Sequence, residues 1–281
     1  QHSGEKVVIK TPSNEKRDDR EYIENFLMED WIAKRVDNPF VAKAIAATRK
    51  RNYLYLVSEY IEGQTLAQWI NDNPRPDIST VREIASQVAN GLQAIHRQEM
   101  IHQDLRPSNI MIDTMGTAKI IDFGATKVAG VSEIVERNYG LVGTMQFTAP
   151  EYFLGLSGTA QSDIFSLGVI VYQMLTGKLP YGNAICKARD SRSQRRLSYQ
   201  TMRRGKDNDI PDWLNYALSK ATSIQPHRRY VEVSEFVHEL KKPSADFLKR
   251  TKPPLIERNP ILLWQCISGF LLLVIIFQCW Y

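Results

Sequence analysis

Residues 101–113 read IHQDLRPSNIMID. An acid, a base and an amide (Asp104, Arg106 and Asn109) stand among Ile101, Leu105, Ile110, Met111 and Ile112. The apolar flanks fit only a core, so the polar residues must ride on a loop that the core holds in place. Two short apolar runs, NIMID and AKIID, follow within twenty residues. Paired as strands, they would clamp the loop from below while its polar side chains project upward. The tripeptide DFG, residues 122–124, closes the second run and adds the carboxylate of Asp122. Asp104, Asn109 and Asp122 can then converge on one cleft.

The rest of the chain alternates in period. KVVIK (residues 6–10) is a short β-rich run. DREYIENFLMEDWIAKRV sets Ile23, Phe26, Leu27, Trp31 and Ile32 near helical spacing. VAKAIAA and NYLYLVSEY read as strands. STVREIASQVANGLQAIHRQ is an amphipathic helix with Ser79 as its cap and Val81, Ile84, Ala85, Val88, Leu92 and Ile95 as its buried stripe. A strand-rich portion with one helix therefore leads into a helix-rich portion, with a turn at residues 62–64 between them. No internal repeat is present.

Hydrophobic residues make up 43% of the 281 and charged residues 24%, ordinary for a soluble protein. That average conceals an asymmetry. Residues 260–281, PILLWQCISGFLLLVIIFQCWY, carry no charge, and the KKPSADFLKRTKPPLIER before them holds six Lys or Arg. The tail has the length and the flanking aromatics of a membrane-spanning helix. With the basic side preceding it, the domain before it is expected in the cytoplasm. The three cysteines, Cys186, Cys266 and Cys279, form no C-x-x-C pair, which fits a reducing compartment without a disulfide framework or zinc site. The basic stretch KARDSRSQRRLSYQTMRRGK lacks interleaved aromatics beyond Tyr199 and reads as a solvated surface, so no nucleic-acid partner is expected.

Two carboxylates and an amide are hard oxygen ligands that suit Mg²⁺ bound to phosphates. Phosphoryl transfer needs a base for the hydroxyl, metal ligands, and cations on the phosphates. HQDLRPSN resembles the pattern H-R-D-L-x-x-x-N, DFG matches the magnesium motif, APE stands at residues 149–151 after GTMQFT, and VVIK resembles V-A-I-K. SDIFSLGVIVYQMLTGKLPY and QPHRRY resemble a buried helix and a later arginine motif of the same family. In this order and spacing, over residues 6–240, they make the sequence resemble a eukaryotic-type Ser/Thr protein kinase domain. More narrowly, HQDL, EYIEGQTLAQW, TAPEYFLG, PLIERNP and the terminal span resemble bacterial bifunctional kinase/phosphatases, in which a phosphatase domain precedes the kinase.

The resemblance implies an α+β, bilobal, protein-kinase-like fold followed by one C-terminal transmembrane helix. Residues 1–61 would be a partial small lobe, 62–242 the large lobe, 243–259 a basic Pro-containing linker and 260–281 the membrane helix. ATP and Mg²⁺ would be the cofactors and a protein Ser/Thr hydroxyl the acceptor. By the same resemblance, Asp104 is the catalytic base, and Asn109 and Asp122 hold Mg²⁺. Lys10 contacts the α- and β-phosphates and pairs with a helix glutamate, Glu29 by its distance from DNP, with Glu24 as the alternative. Arg106 stands where the family usually has Lys and stabilises the transferred group. Ser58 is the gatekeeper, Glu59 and Ile61 offer backbone hydrogen bonds to adenine, and Thr144 positions the substrate. Glu151 and Arg229 form a structural ion pair.

Two departures stand out. Gln103 replaces the arginine that grips an activation-loop phosphate, which implies activity independent of loop phosphorylation. Only nine residues precede Lys10, and Gly4 is their sole glycine, so the first strands and the glycine-rich loop are expected on a longer chain, where a phosphatase domain is a further candidate. A pseudokinase or scaffold is the alternative reading, and a small-molecule phosphotransferase of related fold is a third.

Overall fold

A computed structural model describes residues 4, 6–16, 18–45, 53–128, 145–202, 210–251 and 260–280. The chain divides into two compact units, Gln1–Lys241 and Lys242–Tyr281.

The first unit opens with strand β1 (Val7–Lys10), helix α1 (Arg20–Ala33) and strand β2 (Leu56–Glu59). β1 and β2 pair antiparallel, with Lys10 opposite Leu56 and Val7 opposite Glu59. Helix α1 starts where the Asp19 side chain accepts the Tyr22 N–H at 3.1 Å, an N-cap that satisfies one of the helix's orphan donors. Phe26 and Ile32 are buried, while Leu27 and Trp31 stay exposed. Over residues 41–45, the described part of the expected VAKAIAA strand, there are two isolated bridges, Val41 to Ile120 and Ala44 to Ser58. The physical reason is divided pairing: Ala42 N–H donates to Ile120 O, whereas Ile45 N–H donates to Val57 O, so no single partner strand is followed.

The turn expected at residues 62–64 is instead the start of strand β3 (Gly63–Thr65). It pairs antiparallel with β5 (Ile110–Asp113), which pairs with β6 (Ala118–Ile120). A β-carbon on Gly63 would lie 2.0 Å from the Ile112 carbonyl oxygen, so this close approach requires glycine. Helix α2 (Leu66–Asp72) follows at once, and its capping box joins Thr65 and Gln68.

Helix α3 (Ile78–His96) is capped by Asp77, whose side chain accepts the Ser79 N–H, not by Ser79 as the sequence suggested. Its stripe Val81, Ile84, Ala85, Val88, Leu92 and Ile95 is fully buried. Each such side chain contributes about 1.5–3 kcal/mol relative to exposure. The stripe faces helix α4 (Ala160–Thr176) and helix α7 (Val233–Lys241). α4 is buried all round from Ser162 to Tyr172, as a helix hydrophobic on every face must be. Between them run β4 (Met100–Ile101), paired with β7 (Lys127–Val128), and the β5–β6 hairpin that supports residues 102–109. Helices α5 (Ser191–Gln194) and α6 (Asp212–Ala221) complete this unit.

The second unit holds helices α8 (Ala245–Thr251) and α9 (Pro260–Trp280). Along α9 the described apolar side chains, among them Ile261, Trp264, Phe270 and Leu273, are exposed, with Leu263 half-buried. Among the described residues, no helix is long and apolar enough to cross a membrane.

Candidate active site

The loop at residues 102–109 is held from below by one carboxylate. Asp163, near the start of α4, has no exposed surface. Its Oδ2 accepts the His102 N–H at 2.9 Å and its Oδ1 accepts the Gln103 N–H at 2.8 Å. The His96 Nε2 lies 2.8 Å from Oδ2. These bonds pin Gln103 at φ 66, a left-handed conformation that non-glycine residues rarely keep unless their surroundings impose it. Burial lowers the His102 pKa, so its ring is neutral. Its Nδ1 accepts the Asp104 N–H at 3.3 Å, and its ring packs against Phe123 with centroids 5.9 Å apart. His102 therefore braces the loop against the DFG segment.

Asp104 sits above this brace. Asn109 Nδ2 donates to the Asp104 backbone O at 2.9 Å and to its Oδ2 at 3.0 Å. Both amide hydrogens are thereby committed, which turns Asn109 Oδ1 away from Asp104. Arg106 Nε lies 3.5 Å from Asp104 Oδ2. Burial pushes the Asp104 carboxyl above the usual aspartate range, and Arg106 offsets only part of that rise. Ile121 N–H donates to Asn109 O at 3.0 Å, so the hairpin fixes Asn109 directly beside the residue preceding Asp122.

A second cluster gathers β1, α1 and the DFG segment. Lys10 Nζ donates to Glu29 Oε1 and Oε2 at 2.7 and 2.8 Å and to Asp122 Oδ1 at 3.2 Å. Gly124 N–H also donates to Asp122 Oδ1, at 3.0 Å. Burial alone would lower the Lys10 pKa, but the Asp122 and Glu29 carboxylates outweigh it and hold the ammonium charged. Burial would raise Asp122, yet Lys10 and the Gly124 amide keep it below the usual range and ionised. Burial raises the Glu29 carboxyl, with Lys10 drawing it back. A β-carbon on Gly124 would come within 3.4 Å of Glu29 Oε2 and 3.3 Å of Asp122 Oδ1, so glycine here leaves room for the cluster. Glu24, the alternative partner, instead pairs with Arg20 at 2.8 Å.

The other residues singled out by the sequence are spread more widely. The Glu59 N–H is spent on Lys43 O, and its side chain meets Lys119 Nζ at 2.8 and 2.9 Å. Ile61 lies in the short connection between β2 and β3. Glu151 and Arg229 stand apart from the cleft in a buried two-bond pair, both contacts at 2.7 Å. Ser162 Oγ also donates to Glu151 Oε1, and Arg229 donates to the carbonyls of Ser223, Gln161 and Ile224. Thr144 lies outside the described residues. Asp163 and His96 escaped the sequence reading. The one signal that could have exposed Asp163 is an acid inside SDIFSLGVIVYQ, an otherwise apolar helix where a charge has to find partners.

The donor set fits a magnesium ion. Asp122 offers its second carboxylate oxygen and Asn109 its amide oxygen. Among the described residues, no cluster of three or more His, Cys, Asp or Glu could cage a metal alone. Magnesium asks for one or two protein oxygens and completes its shell with phosphates and water, so the pair suffices.

Comparison with known proteins agrees with this geometry. The family model for the protein kinase domain matches residues 1–243. The serine/threonine-protein kinase PrkC of Bacillus subtilis is 28% identical over 240 residues, covering 84% of this chain and 36% of that protein. A probable serine/threonine-protein kinase of Clostridium acetobutylicum is 28% identical over 243 residues, covering 86% of this chain and 36% of its own. The serine/threonine-protein kinase PknA of Corynebacterium glutamicum is 33% identical over 180 residues, 62% of this chain and 38% of the relative. The chain thus spans little more than a third of the length of the curated relatives it matches. Matched over most of its length and carrying the Lys10–Glu29–Asp122 and Asp104–Asn109 clusters, the chain belongs to the protein kinase family.

Proposed function

We propose that this chain transfers the γ-phosphoryl group of ATP to serine or threonine hydroxyls of proteins. The observation that carries the reading is the single ammonium of Lys10 bridging Glu29 and Asp122, with Asp104 tied to Asn109 on the loop that the β5–β6 hairpin supports. Lys10 meets the α- and β-phosphates as a fixed point charge, positioned by Glu29. Asp104, ionised, accepts the proton of the acceptor hydroxyl. The hydroxyl oxygen bonds to the γ-phosphorus as the bond to the β–γ bridging oxygen breaks, and ADP leaves. Arg106 faces the transferred group with a planar guanidinium in place of a point charge. Asp122 and Asn109 would hold Mg²⁺, which neutralises phosphate charge when bound. Backbone groups at Glu59 and Ile61 would meet adenine, and Thr144 would help position the acceptor.

The reading extends to location. Residues 260–281 carry no charge and a basic stretch precedes them. Those features favour a C-terminal membrane anchor with the catalytic domain on the cytoplasmic side. Exposed apolar side chains along α9 support the same reading, because so many of them on a surface helix ask for a non-aqueous neighbour.

The test is phosphate transfer from labelled ATP to protein, comparing the full-length protein with Asp104→Asn. The loss expected for removing a general base is roughly 10²–10⁴-fold in kcat, with the thermal transition retained. Undiminished transfer by the variant would remove Asp104 from the mechanism. Absent transfer by the unaltered protein would leave a scaffold that keeps the fold.

A further inference from the structure

A cavity of about 280 Å³ opens beside the catalytic loop. Its polar lining consists of Arg106 and Ser108 from the loop, Asn71 from α2, Gln146, and Gln173 from α4, with Ile70 as an apolar wall. Among the described residues, no carboxylate lines it. Gln173 Oε1 is buried and accepts no hydrogen bond among the described residues, and Arg106 Nε is buried without one. The nearest anion to Arg106 is Asp104, 3.5 Å away on the catalytic side. Gln146 Nε2 is already committed to Asn183 Oδ1 at 2.5 Å.

We propose that this cavity receives a substrate side chain flanking the phosphorylated hydroxyl and selects an amide, asparagine or glutamine, over lysine or arginine. The proposal rests on the phosphoryl-transfer reading for the identity of the occupant. An extended peptide advances about 3.3 Å per residue, so a segment presenting its hydroxyl to Asp104 brings its next few side chains over Arg106. Gln173 Oε1 asks for a donor and Arg106 for an acceptor, and an amide carries both on one planar group. A lysine or arginine would satisfy Gln173 but bring a second cation beside the Arg106 guanidinium, whose carboxylate neighbour Asp104 lies on the catalytic side and not among the residues lining the cavity. An acidic side chain would satisfy Arg106 but set its oxygens against Gln173 Oε1, leaving that acceptor unpaired.

The test uses the full-length protein and serine peptides carrying Gln, Glu, Lys or Ala at each of the positions flanking the serine. Phosphate transfer and fluorescence-anisotropy binding are both read. At one position, Gln should exceed Lys by roughly tenfold in kcat/KM, the scale of one misplaced charge partner near a half-exposed site. Gln173→Glu should invert that order in favour of Lys, and Gln146→Glu, a replacement nearer solvent, should shift it the same way. A preference for Lys or Glu in the unaltered protein, or transfer that no flanking position changes, would overturn the proposal while leaving the kinase reading intact. Amide-selective binding without transfer would uphold the proposal and overturn the catalytic reading.

Discussion

Asp104 must be ionised to accept a proton, and its surroundings make ionisation harder than for a free aspartate. Burial raises its pKa, with Arg106 and the Asn109 amide countering only in part. The protonated form cannot act as a base, so activity falls as pH drops through this raised value. The acid limb of kcat/KM should therefore lie above about 3.9, the ordinary aspartate value. Asp122 cannot be the source of that limb, because Lys10 and the Gly124 amide hold its carboxyl below the usual range. A pH–rate profile checked by circular dichroism across the limb decides the matter, and a limb at or below the free-aspartate value would contradict the assignment. At this scale the sequence was most legible where spacing is local. Asp104 and Asn109 are five residues apart on one loop, and their contact follows from it. The Asp163 carboxylate, sixty-one residues downstream of His102, leaves no trace in the loop it supports, because its hydrogen bonds go to backbone N–H groups that every residue type carries. His96 meets that same carboxylate through its ring nitrogen, a side-chain contact across sixty-seven residues that local spacing does not reveal.

Among the elements, the tie between Glu151 and Arg229 joins the short 3-10 turn Pro150–Leu154 to the loop before α7. Both side chains are almost wholly buried, and the polar atoms around them are paired. Removing one partner leaves an uncompensated charge inside the protein. Glu151→Gln should cost roughly 3–5 kcal/mol of stability, whereas the apolar pair Glu151→Leu with Arg229→Met should cost much less than the sum of its single changes. Chemical denaturation of the four proteins in that cycle measures the coupling, and additive costs would show that the pair is not a unit. Element type was readable where a period ran long. The α3 stripe, Val81 to Ile95, recurs over about four turns, a length at which helical period is unmistakable. Short elements were not. Gly63 reads as a turn residue, but its missing β-carbon is needed where β3 lies against Ile112. Residues 41–45 have the composition of a strand, yet their hydrogen bonds are divided between β2 and the end of β6, a matter of tertiary placement that composition does not encode.

At the scale of the molecule, the division after Lys241 makes a claim about cooperativity. The core of the first unit is closed by α3, α4, α6 and α7, and its last buried side chain, Leu240, sits one residue before the boundary. A chain ending at Lys241 should therefore unfold at the same denaturant midpoint as the longer one, because the first unit closes its own core. Anchoring should respond in the opposite way. If the uncharged tail enters a bilayer, the intact chain co-sediments with lipid vesicles and the shortened one stays in the supernatant at any salt concentration, since burial of apolar surface is not screened as surface charge is. Basic residues alone, acting through anionic lipid, would instead give binding that disappears as salt rises. Vesicles of neutral phosphatidylcholine separate the two: retention of the intact chain on them at about 1 M salt, where the screening length is only about 3 Å, supports insertion of the tail, and release under that condition would reduce the anchor to an electrostatic contact.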